Sequence, residues 1–438
     1  ASDFDADADG YDEDQDCDDT DDTVNPSADE LCGDGQDNDC DGVASDGCLF
    51  VGELDLQSLT PVQGTESSGE LGEVLRFEEW TEGINLMWVD QKADTDRSGV
   101  RFVTAGASLS SPQDGTLTGL VPQGGQLDFV VGDFVKDGEP DLVVGVADGS
   151  GALYLFEGPV TAGAERLQPT VAGDILGLGA DLQAGHFESV DYTTLLAQNS
   201  QGTELWDLGA APSQLAILNF YPVKVTVAAD LNGDGLDDAV LGGWDTGLPN
   251  GAIHVVFGPI TADHQLPGDA DWSWTDTSDR RVGDALAVGD SDGDGSPDVL
   301  VGAWSEGAGA AVLLHDPLGD GPVSLLEGAN LGDELGRMVA LEDLDRDGAA
   351  DALVQAAGED SGASNAGTLY VFAVSAEGVF ETDDATWTVL GAFKEDRAGE
   401  SVAFGLLDGH NTLAIGAPGY DGLEANSGAM YLIERDGL

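Results

Sequence analysis

Aspartates that recur at a fixed spacing in four short segments are the residues of this sequence best suited to do chemistry. Each segment has carboxylate or amide side chains at most of positions 1, 3, 5 and 9, counted from its first aspartate, and a glycine at position 6. Oxygens at alternate positions of a tight turn can converge on Ca²⁺, which takes about six to eight oxygen ligands. The spacing therefore predicts four calcium-binding loops.

Side chains at these positions, together with the backbone carbonyl at position 7, are the predicted ligands. A single segment rich in Asp and Gly is more often a turn, but four copies in one frame favour metal binding. Val135 stands at position 3 of the first loop, so we expect that site to be weaker. The predicted ligands are Asp133, Asp137, Glu139 and Asp141; Asp230, Asn232, Asp234, Leu236 and Asp238; Asp290, Asp292, Asp294, Ser296 and Asp298; and Asp343, Asp345, Asp347, Ala349 and Asp351.

The first 48 residues carry a second group of candidate calcium ligands. One run has the spacing of an EF-hand loop, with a glycine at position 6, a carbonyl at position 7 and an aspartate at position 12. A second run repeats only the start of this pattern, because its position 12 is Cys48. A solvated acidic tail is the alternative interpretation. The predicted ligands are Asp5, Asp7, Asp9, Tyr11 and Asp16 in the first run, and Asp37, Asp39 and Asp41 in the second.

All four cysteines, Cys17, Cys32, Cys40 and Cys48, lie in this same segment, which has no Lys or Arg and few large apolar residues. Such a segment cannot form a hydrophobic core, so disulfides and metal must hold it together. Zinc is the other use of four cysteines, but no Cys-x-x-Cys pair is present. We expect two disulfides and an oxidising, extracellular location. Of the three possible pairings, we favour Cys17–Cys32 with Cys40–Cys48.

Short apolar strands flank each predicted loop of the remaining chain, and a third strand with a glycine start follows, as in residues 151–156 and 251–257. Strands of this length separated by Gly, Asp and Pro turns predict four-stranded antiparallel sheets, which bury their faces when arranged radially as a propeller. Degenerate units near residues 66–115, 184–196 and 401–418 bring the count to seven blades. We predict an all-β, seven-bladed propeller over residues 49–438 after an arm of residues 1–48. Residues 49–56 are expected to supply the missing last strand and close the ring.

The Asp loops with their flanking strands, together with Gly416-Ala417-Pro418, resemble the FG-GAP repeats of the integrin alpha-subunit propeller. This resemblance implies that each loop holds calcium structurally. The arm resembles a metal-binding repeat of secreted bacterial proteins and the calcium repeats of thrombospondins. The bacterial family is associated with copper, but residues 1–48 contain no His or Met, so calcium remains the predicted metal. The expected content is about four Ca²⁺ in the propeller and one or more in the arm.

The charge balance and the missing motifs restrict the possible functions. With 85 acidic against 14 basic residues, the formal net charge is -71, which disfavours nucleic acid and anionic membranes as partners. No apolar stretch is long enough to span a bilayer, and the start of the chain is typical of the mature part of an exported protein. Neither a Gly-x-Ser-x-Gly nor a His-Glu-x-x-His motif is present, and the five histidines are scattered.

We therefore expect an extracellular or cell-surface bacterial protein that is not an enzyme and acts by binding or assembly. The first hypothesis is a structural subunit of an extracellular structure such as a filament, which associates with itself or with another extracellular protein. The second is an adhesin or receptor that binds a glycan or protein through the propeller rim, where Trp244 and Trp304 occupy equivalent places in adjacent repeats. A secreted enzyme is the third. Fold alone does not decide among them.

Overall fold

The computed structural model describes most of residues 52–435 and, before them, residues 11, 17, 18, 24–26 and 40. Within 52–435 it leaves out residues 65–70, 81–82, 92–96, 105–108, 110–114, 123–124, 148–150, 161, 167, 173–177, 221, 245–249, 277–279, 306, 320, 361–362, 375–376, 408–409 and 423–426. In the part that it describes, no helix combines the length and the hydropathy needed to cross a bilayer.

Seven β-sheets form the described propeller; each contains four strands that are antiparallel neighbours, and three of the sheets gain a fifth, parallel strand. This confirms the predicted all-β, seven-bladed architecture. Two short strands come first, β1 (Gly52–Asp55) and β2 (Val62–Gln63), with a 3-10 helix at Leu56–Ser58 between them. Blade 1 contains β3 (Leu75–Trp80), β4 (Gly83–Asp90), β5 (Arg97–Thr104) and β6 (Thr116–Pro122); blade 2 contains β7 (Gln126–Gly132), β8 (Asp141–Ala147), β9 (Ala152–Phe156) and β10 (Val171–Ala172).

The next three blades follow the same order. Blade 3 contains β11 (Leu182–Gly185), β12 (Thr194–Asn199), β13 (Gly202–Asp207) and β14 (Ser213–Asn219). Blade 4 contains β15 (Val225–Ala229), β16 (Asp238–Gly243) and β17 (Ala252–Val256), then the connecting strand β18 (His264–Gln265) and its last strand β19 (Trp272–Trp274). Blade 5 contains β20 (Leu286–Gly289), β21 (Asp298–Gly302), β22 (Ala310–Leu314) and β23 (Val323–Glu327), with a 3-10 helix at Pro317–Gly319.

Blades 6 and 7 complete the ring. Blade 6 contains β24 (Leu335–Glu342), β25 (Asp351–Ala356) and β26 (Thr368–Phe372), then the connecting strand β27 (Val379–Glu381), a 3-10 helix at Thr382–Asp384 and the last strand β28 (Trp387–Leu390). Blade 7 contains β29 (Val402–Leu407), β30 (His410–Ala417) and β31 (Ala429–Arg435).

Strands in the middle of a blade are mostly apolar because neighbouring blades cover both of their faces. In β16 and β21 every residue is buried, and their sequences run from an aspartate into Val, Leu, Ala and Gly. Continuous apolar runs are typical of strands that are covered on both sides. The alternation expected of a sheet with one solvated face is therefore absent from these two strands.

Each of the seven hydrophobic clusters lies between two adjacent blades. The cluster that joins blades 5 and 6, for example, contains Leu300 and Leu313 from one blade and Val354 and Phe372 from the next. The cluster that joins blade 7 to blade 1 packs the fully buried Trp88 with residues of β29 and β30. Because every core is shared, a single blade cannot bury its faces alone, and closing the ring is a condition of folding.

The ring closes through the start of the propeller, but not through the predicted residues. β2 pairs antiparallel with β31, with Val62 opposite Met430 and Gln63 opposite Ala429. The prediction that residues 49–56 would fill this position is wrong, since β1 pairs in parallel with β28 on the outer edge of blade 6. Leu56, at the end of the predicted segment, is fully buried in the core shared by blades 6 and 7.

The position of β1 follows a rule seen in other blades. β18 and β27 both lie in the connection between the third and fourth strands of one blade, and both add in parallel to the last strand of the blade before it. β1 and β2 stand in the same relation to blades 6 and 7. The segment after residue 51 therefore completes the third-to-fourth connection of blade 7, and the described propeller begins at the outer edge of blade 6.

In the arm, Cys17 and Cys40 form a disulfide with a Cα–Cα distance of 5.5 Å. This confirms that the arm is disulfide-bonded but shows that the favoured pairing of Cys17 with Cys32, and of Cys40 with Cys48, is wrong. The bond closes a separation of 23 residues, and Cys40 lies inside the second aspartate run. Sequence spacing cannot choose among the three pairings of four cysteines, because the choice depends on how the chain brings distant residues together.

Candidate metal centres

The four predicted loops occupy the same place in four blades. Each one connects the first strand to the second strand in blades 2, 4, 5 and 6. Since first and second strands are antiparallel neighbours in every blade, all four loops lie at the same end of their blades. The repeated frame read from the sequence is therefore a repeated position in the fold.

The backbone has the same conformation in all four loops. Position 4 is left-handed, with φ of 66° at Lys136, 73° at Gly233, 71° at Gly293 and 63° at Arg346. Position 6 is a glycine with φ between 86° and 95° in every loop. A Cβ on the glycine at position 6 would meet nothing within 4 Å, so the backbone angle, rather than lack of space, requires glycine there. These two left-handed residues fold the loop into a tight coil.

The aspartates at positions 1 and 5 turn inward and organise this coil through backbone amides. In blade 4, Asp230 Oδ1 accepts the N–H of Gly233 at 2.8 Å, and its Oδ2 accepts the N–H of Gly235 at 2.8 Å. Asp234 Oδ1 accepts the N–H of Leu236 at 2.9 Å. The equivalent bond from position 6 to position 1 recurs in the other three loops. The carboxylates are thereby held on the concave side of the loop.

Two of the loops bring three carboxylates into the arrangement that a metal requires. In the blade 5 loop, formed by Asp290, Asp292 and Asp294, one ligand atom from each residue lies within 4.8 Å of the others. Asp343, Asp345 and Asp347 do the same in the blade 6 loop. Like charges this close repel each other strongly unless a cation or proton intervenes. The donor set is oxygen only in these triads, which fits Ca²⁺.

The other two loops depart from three carboxylates in different ways. Blade 4 has Asn232 at position 3, whose Oδ1 accepts the N–H of Asp234 at 2.9 Å and can also bind calcium. Blade 2 has Val135 at that position, and its Lys136 side chain turns away to Asp207 at 2.9 Å and lies over the Tyr192 ring at 3.6 Å. Blade 2 therefore has no side-chain oxygen at position 3, and its weaker binding of metal stays a prediction.

The aspartate at position 9 does more than the sequence indicated. Asp238 is fully buried, and its Oδ2 accepts the N–H of Leu231 at 3.0 Å while its Oδ1 accepts the N–H of Gly258 at 2.9 Å. Asp141 makes the corresponding bonds to Phe134 and Gly158 in blade 2. This residue ties the loop to the end of the third strand. Its role as a metal ligand, like the carbonyl at position 7, stays a prediction.

Burial raises the pKa of three of these position 9 carboxyls. The pKa of Asp238 rises to about 6, with smaller contributions from Asp234 and Asp230. The pKa of Asp351 rises to about 7, again through burial first and then the carboxylates of its own loop. For Asp141 the pKa is raised mainly by burial. These three carboxyls are therefore close enough to the other carboxylates of their loops to feel the negative charge that a metal would neutralise.

The ligands predicted in the arm are not placed by the structure. Asp5, Asp7, Asp9, Asp16, Asp37, Asp39 and Asp41 lie outside the described residues, and Tyr11 is described without them. Calcium binding in the arm therefore stays a prediction, and so does the number of ions bound there.

At the opposite end of the blades lies a cluster of cations and tryptophans that the sequence did not reveal as a cluster. Lys224, which precedes β15, has its Nζ 5.1 Å from the centre of the Trp244 ring. The guanidinium of Arg281 lies 4.8 Å from the same ring. Trp244 Nε1 donates a hydrogen bond of 2.7 Å to Asp284 Oδ1, while Asp284 Oδ2 is buried and accepts none in the described structure.

The neighbouring repeat extends this cluster. Arg337 lies with its guanidinium 4.9 Å from the ring of Trp304, and it donates to Glu334 Oε2 at 3.2 Å. Burial raises the pKa of Asp284, whereas the Trp244 hydrogen bond and then three cations, including Arg337, oppose that rise. One carboxylate thus feels the charges of both repeats. We call the set of Lys224, Arg281, Asp284, Arg337, Trp244 and Trp304 the cation–tryptophan face.

The sequence contained a signal for this face that spacing alone did not reveal. Only 14 of the 438 residues are Lys or Arg, so any cation is unusual here. Lys224, Arg281 and Arg337 all lie at the start of a blade, before or within its first strand, and the tryptophans directly follow the second strand or come shortly after it. The two groups meet because the first and second strands are antiparallel neighbours.

Comparisons with known proteins agree with the two parts of the chain. Residues 16–46 match a family model described as "Putative metal-binding motif" (Cu-binding_MopE). Integrin alpha pat-2 of Caenorhabditis briggsae is 38% identical over 100 residues, and that of Caenorhabditis elegans is 34% identical over 102 residues. Each match covers 22% of this chain and only 8% of the integrin.

The chain therefore contains an integrin alpha-like region within a seven-bladed propeller, and a metal-binding motif precedes it. Among solved structures, BBS1N in complex with ARL6DN is similar with a TM-score of 0.49 at 9% identity, over 85% of this chain and 97% of that one. The propeller assignment rests on the seven sheets themselves. The name of the family model refers to copper, whereas the aspartate triads of the propeller offer oxygen ligands, which suit harder cations.

Proposed function

We propose that this integrin alpha-like propeller is an extracellular, calcium-stabilised adhesion protein that binds its partner through the cation–tryptophan face and performs no catalysis. The observation that carries the proposal is the separation of two unlike surfaces. Carboxylate loops suited to calcium lie at one end of the blades, and the cation–tryptophan face lies at the other end. The first surface serves stability, which leaves the second for recognition.

The chemistry of the cation–tryptophan face suits an acidic glycan. Guanidinium and ammonium groups donate to carboxylate or sulfate oxygens. Although the whole chain carries a charge of -71, screening at physiological salt acts over about 8 Å, so the local cations decide what binds there.

Binding of the purified protein to an array of acidic and neutral glycans, in calcium, tests this proposal. Lys224→Ala and Arg337→Ala should each weaken binding of the best acidic glycan about tenfold, which corresponds to roughly 1.4 kcal/mol. Lys394→Ala is the matched control, because it removes one exposed cation from a connection at the same end of the ring but outside the cluster. Equal binding by all variants, or no preference for acidic glycans, would contradict the proposal.

A second candidate function is assembly into an extracellular structure, and the position of the arm favours it. The arm joins the propeller through β1, a strand added to the outer edge of blade 6. A strand that adds to an edge in its own chain could add to the same edge of a second copy, which would link subunits.

Light scattering with and without a calcium chelator separates the two candidates. A chain that starts at residue 49 keeps β1 and β2 and serves as the control for the whole protein. Large assemblies in calcium that come apart in chelator would support assembly. If the chain that starts at residue 49 also assembles, β1 provides the contact; if it does not, residues 1–48 provide it. A monomer under every condition would exclude it and leave adhesion as the proposal.

A further inference from the structure

The blade 5 loop differs from the other three in the residue that faces it from the end of the third strand. There, His315 follows β22, two residues before a proline. The corresponding residues are Glu157 in blade 2, Phe257 in blade 4 and Ala373 in blade 6. Blade 5 is therefore the loop with an imidazole at this position.

His315 is almost completely buried, with 3% of its surface exposed, and its ring points at the loop. Its Nδ1 lies 3.9 Å from Asp292 Oδ2 and 3.7 Å from Asp298 Oδ2. No hydrogen bond satisfies this nitrogen in the described structure. A buried ring nitrogen without a hydrogen bond is unusual and requires an explanation.

The other ring nitrogen is already engaged. Nε2 of His315 lies 2.9 Å from the hydroxyl of Ser324 on the neighbouring strand. If Nε2 carries the proton and donates to that hydroxyl, Nδ1 presents its lone pair toward Asp292. Histidines that bind metals are held in this way, with one nitrogen on the metal and the other in a hydrogen bond that fixes the ring.

A nitrogen ligand changes which metal the loop prefers. Ca²⁺ binds oxygen ligands, whereas imidazole favours divalent transition metals such as Zn²⁺. In a tetrahedral site with metal–ligand distances of about 2.0–2.2 Å, a nitrogen and an oxygen bound to one zinc ion lie roughly 3.4 Å apart. The 3.9 Å between His315 Nδ1 and Asp292 Oδ2 is longer than this, so the side chains must approach each other by about 0.5 Å when the ion binds. Asp298 Oδ2, 3.7 Å from the same nitrogen, is the second carboxylate oxygen that His315 faces.

We propose that the blade 5 loop is a transition-metal site of the zinc type, in which His315 Nδ1 binds the ion together with Asp292 and Asp298, the two carboxylates that the nitrogen faces. The inference rests on the proposed role of the Asp loops as metal sites. The blade 6 loop, with Asp343, Asp345 and Asp347 and no imidazole at the corresponding position, stays a calcium site. One propeller thus holds two kinds of metal in loops of the same backbone shape.

The test measures zinc binding to the whole protein in saturating calcium. Titration calorimetry gives the affinity, and the absorption of bound Co²⁺ serves as a spectroscopic probe of the site. The parent should bind Zn²⁺ with high affinity despite the calcium. His315→Phe places in blade 5 the residue that blade 4 has, and it should weaken this zinc site on the order of 100-fold and remove the cobalt absorption band. Asp345→Asn, in the blade 6 loop, is the matched control and should leave zinc binding unchanged.

Two further measurements keep the outcome clear. His315→Gln should lose zinc as His315→Phe does, and calcium-dependent melting of each variant shows whether it folds. Zinc affinity that is unchanged in a folded His315 variant would overturn the inference, and so would a parent that binds no zinc in calcium. If calcium also fails to bind the loops, the proposed role of the loops as metal sites fails with it; if calcium binds and zinc does not, only the transition-metal inference fails.

Discussion

Replacing Asp351 with Asn is expected to stabilise the calcium-free protein at pH 8. Asp351 occupies position 9 of the blade 6 loop, where burial and then the carboxylates of the same loop raise its pKa to about 7 from the ordinary 3.8. Each pKa unit corresponds to about 1.4 kcal/mol, so keeping this carboxylate ionised in the folded chain destabilises it by roughly 4 kcal/mol at pH 8. Asparagine removes that charge and keeps a similar shape.

The sign of the pH dependence follows from the raised pKa. The folded chain keeps a proton on Asp351 up to about pH 7, whereas the unfolded chain releases it near the ordinary value of 3.8. The contribution of this group to stability is therefore complete below that ordinary value and is lost as the pH rises to about 7. Bound calcium should reduce this loss, because the cation favours the ionised carboxylates.

The assay is urea unfolding in the presence of a calcium chelator at pH 5.5 and pH 8, with tryptophan fluorescence as the measure of unfolding. The parent should have a lower urea midpoint at pH 8 than at pH 5.5, and Asp351→Asn should raise the midpoint at pH 8 and reduce the difference. Asp298→Asn is the matched control at position 9 of blade 5. There Oδ2 accepts from the backbone and hydroxyl of Ser291, and Oδ1 accepts the N–H of Asp316 at 2.8 Å.

An amide has one acceptor oxygen, so Asp298→Asn must leave donors without a partner and should destabilise the chain by about 1–3 kcal/mol at both pH values. In contrast, Asp351 Oδ2 accepts a hydrogen bond from the backbone N–H of Leu344 at 3.3 Å. The amide oxygen of an asparagine can accept the same hydrogen bond. If Asp351→Asn lowers the midpoint at pH 8 as much as Asp298→Asn does, the electrostatic reasoning is refuted.

Three further predictions concern the loops, the ring closure and the arm. Gly348→Ala should lower stability by about 1–2 kcal/mol through its φ of 95° alone, since a Cβ would meet nothing within 4 Å; thermal melting in calcium checks this, and an unchanged melting temperature would contradict it. Val62→Asp should open the ring at blade 7 by placing a charge in the core around Trp88, which limited proteolysis would detect as new cleavage, whereas the exposed Val379→Asp should not. Cys17→Ser should make the arm sensitive to protease without changing the melting of the propeller, and protection equal to the parent would argue against the disulfide.

Local sequence patterns predicted much of the fold and the positions of the four aspartate loops. The nine-residue frame from Asp230 to Asp238 fixed both the loop and the strand after it, because ligand spacing and left-handed glycines act within one turn of chain. Seven blades could be counted because each repeat carries its own strands. The alternation of apolar and polar residues was less useful for finding strands, since fully buried strands such as β21 are continuous apolar runs.

Contacts between distant residues could not be read in the same way. The bond of Cys17 to Cys40, the pairing of β1 with β28 and the approach of Arg281 to Trp244 each depend on chain segments meeting across the fold. In the segment predicted to close the ring, Gly52, Glu53 and Asp55 are exposed on the edge of blade 6, and Leu56 is buried in the core shared by blades 6 and 7. Burial alone does not specify the neighbouring strand.

The sequence by itself determined that this is a repeated all-β protein with aspartate loops of fixed geometry, because a repeated local pattern folds into a repeated local structure. Only the tertiary structure decided that Val62 and Gln63 close the ring, that His315 faces the blade 5 carboxylates and that cations gather around two tryptophans at the other end. The physical reason is that these features arise from the packing of blades against each other, and the free energy of that packing depends on all neighbours of a residue at once.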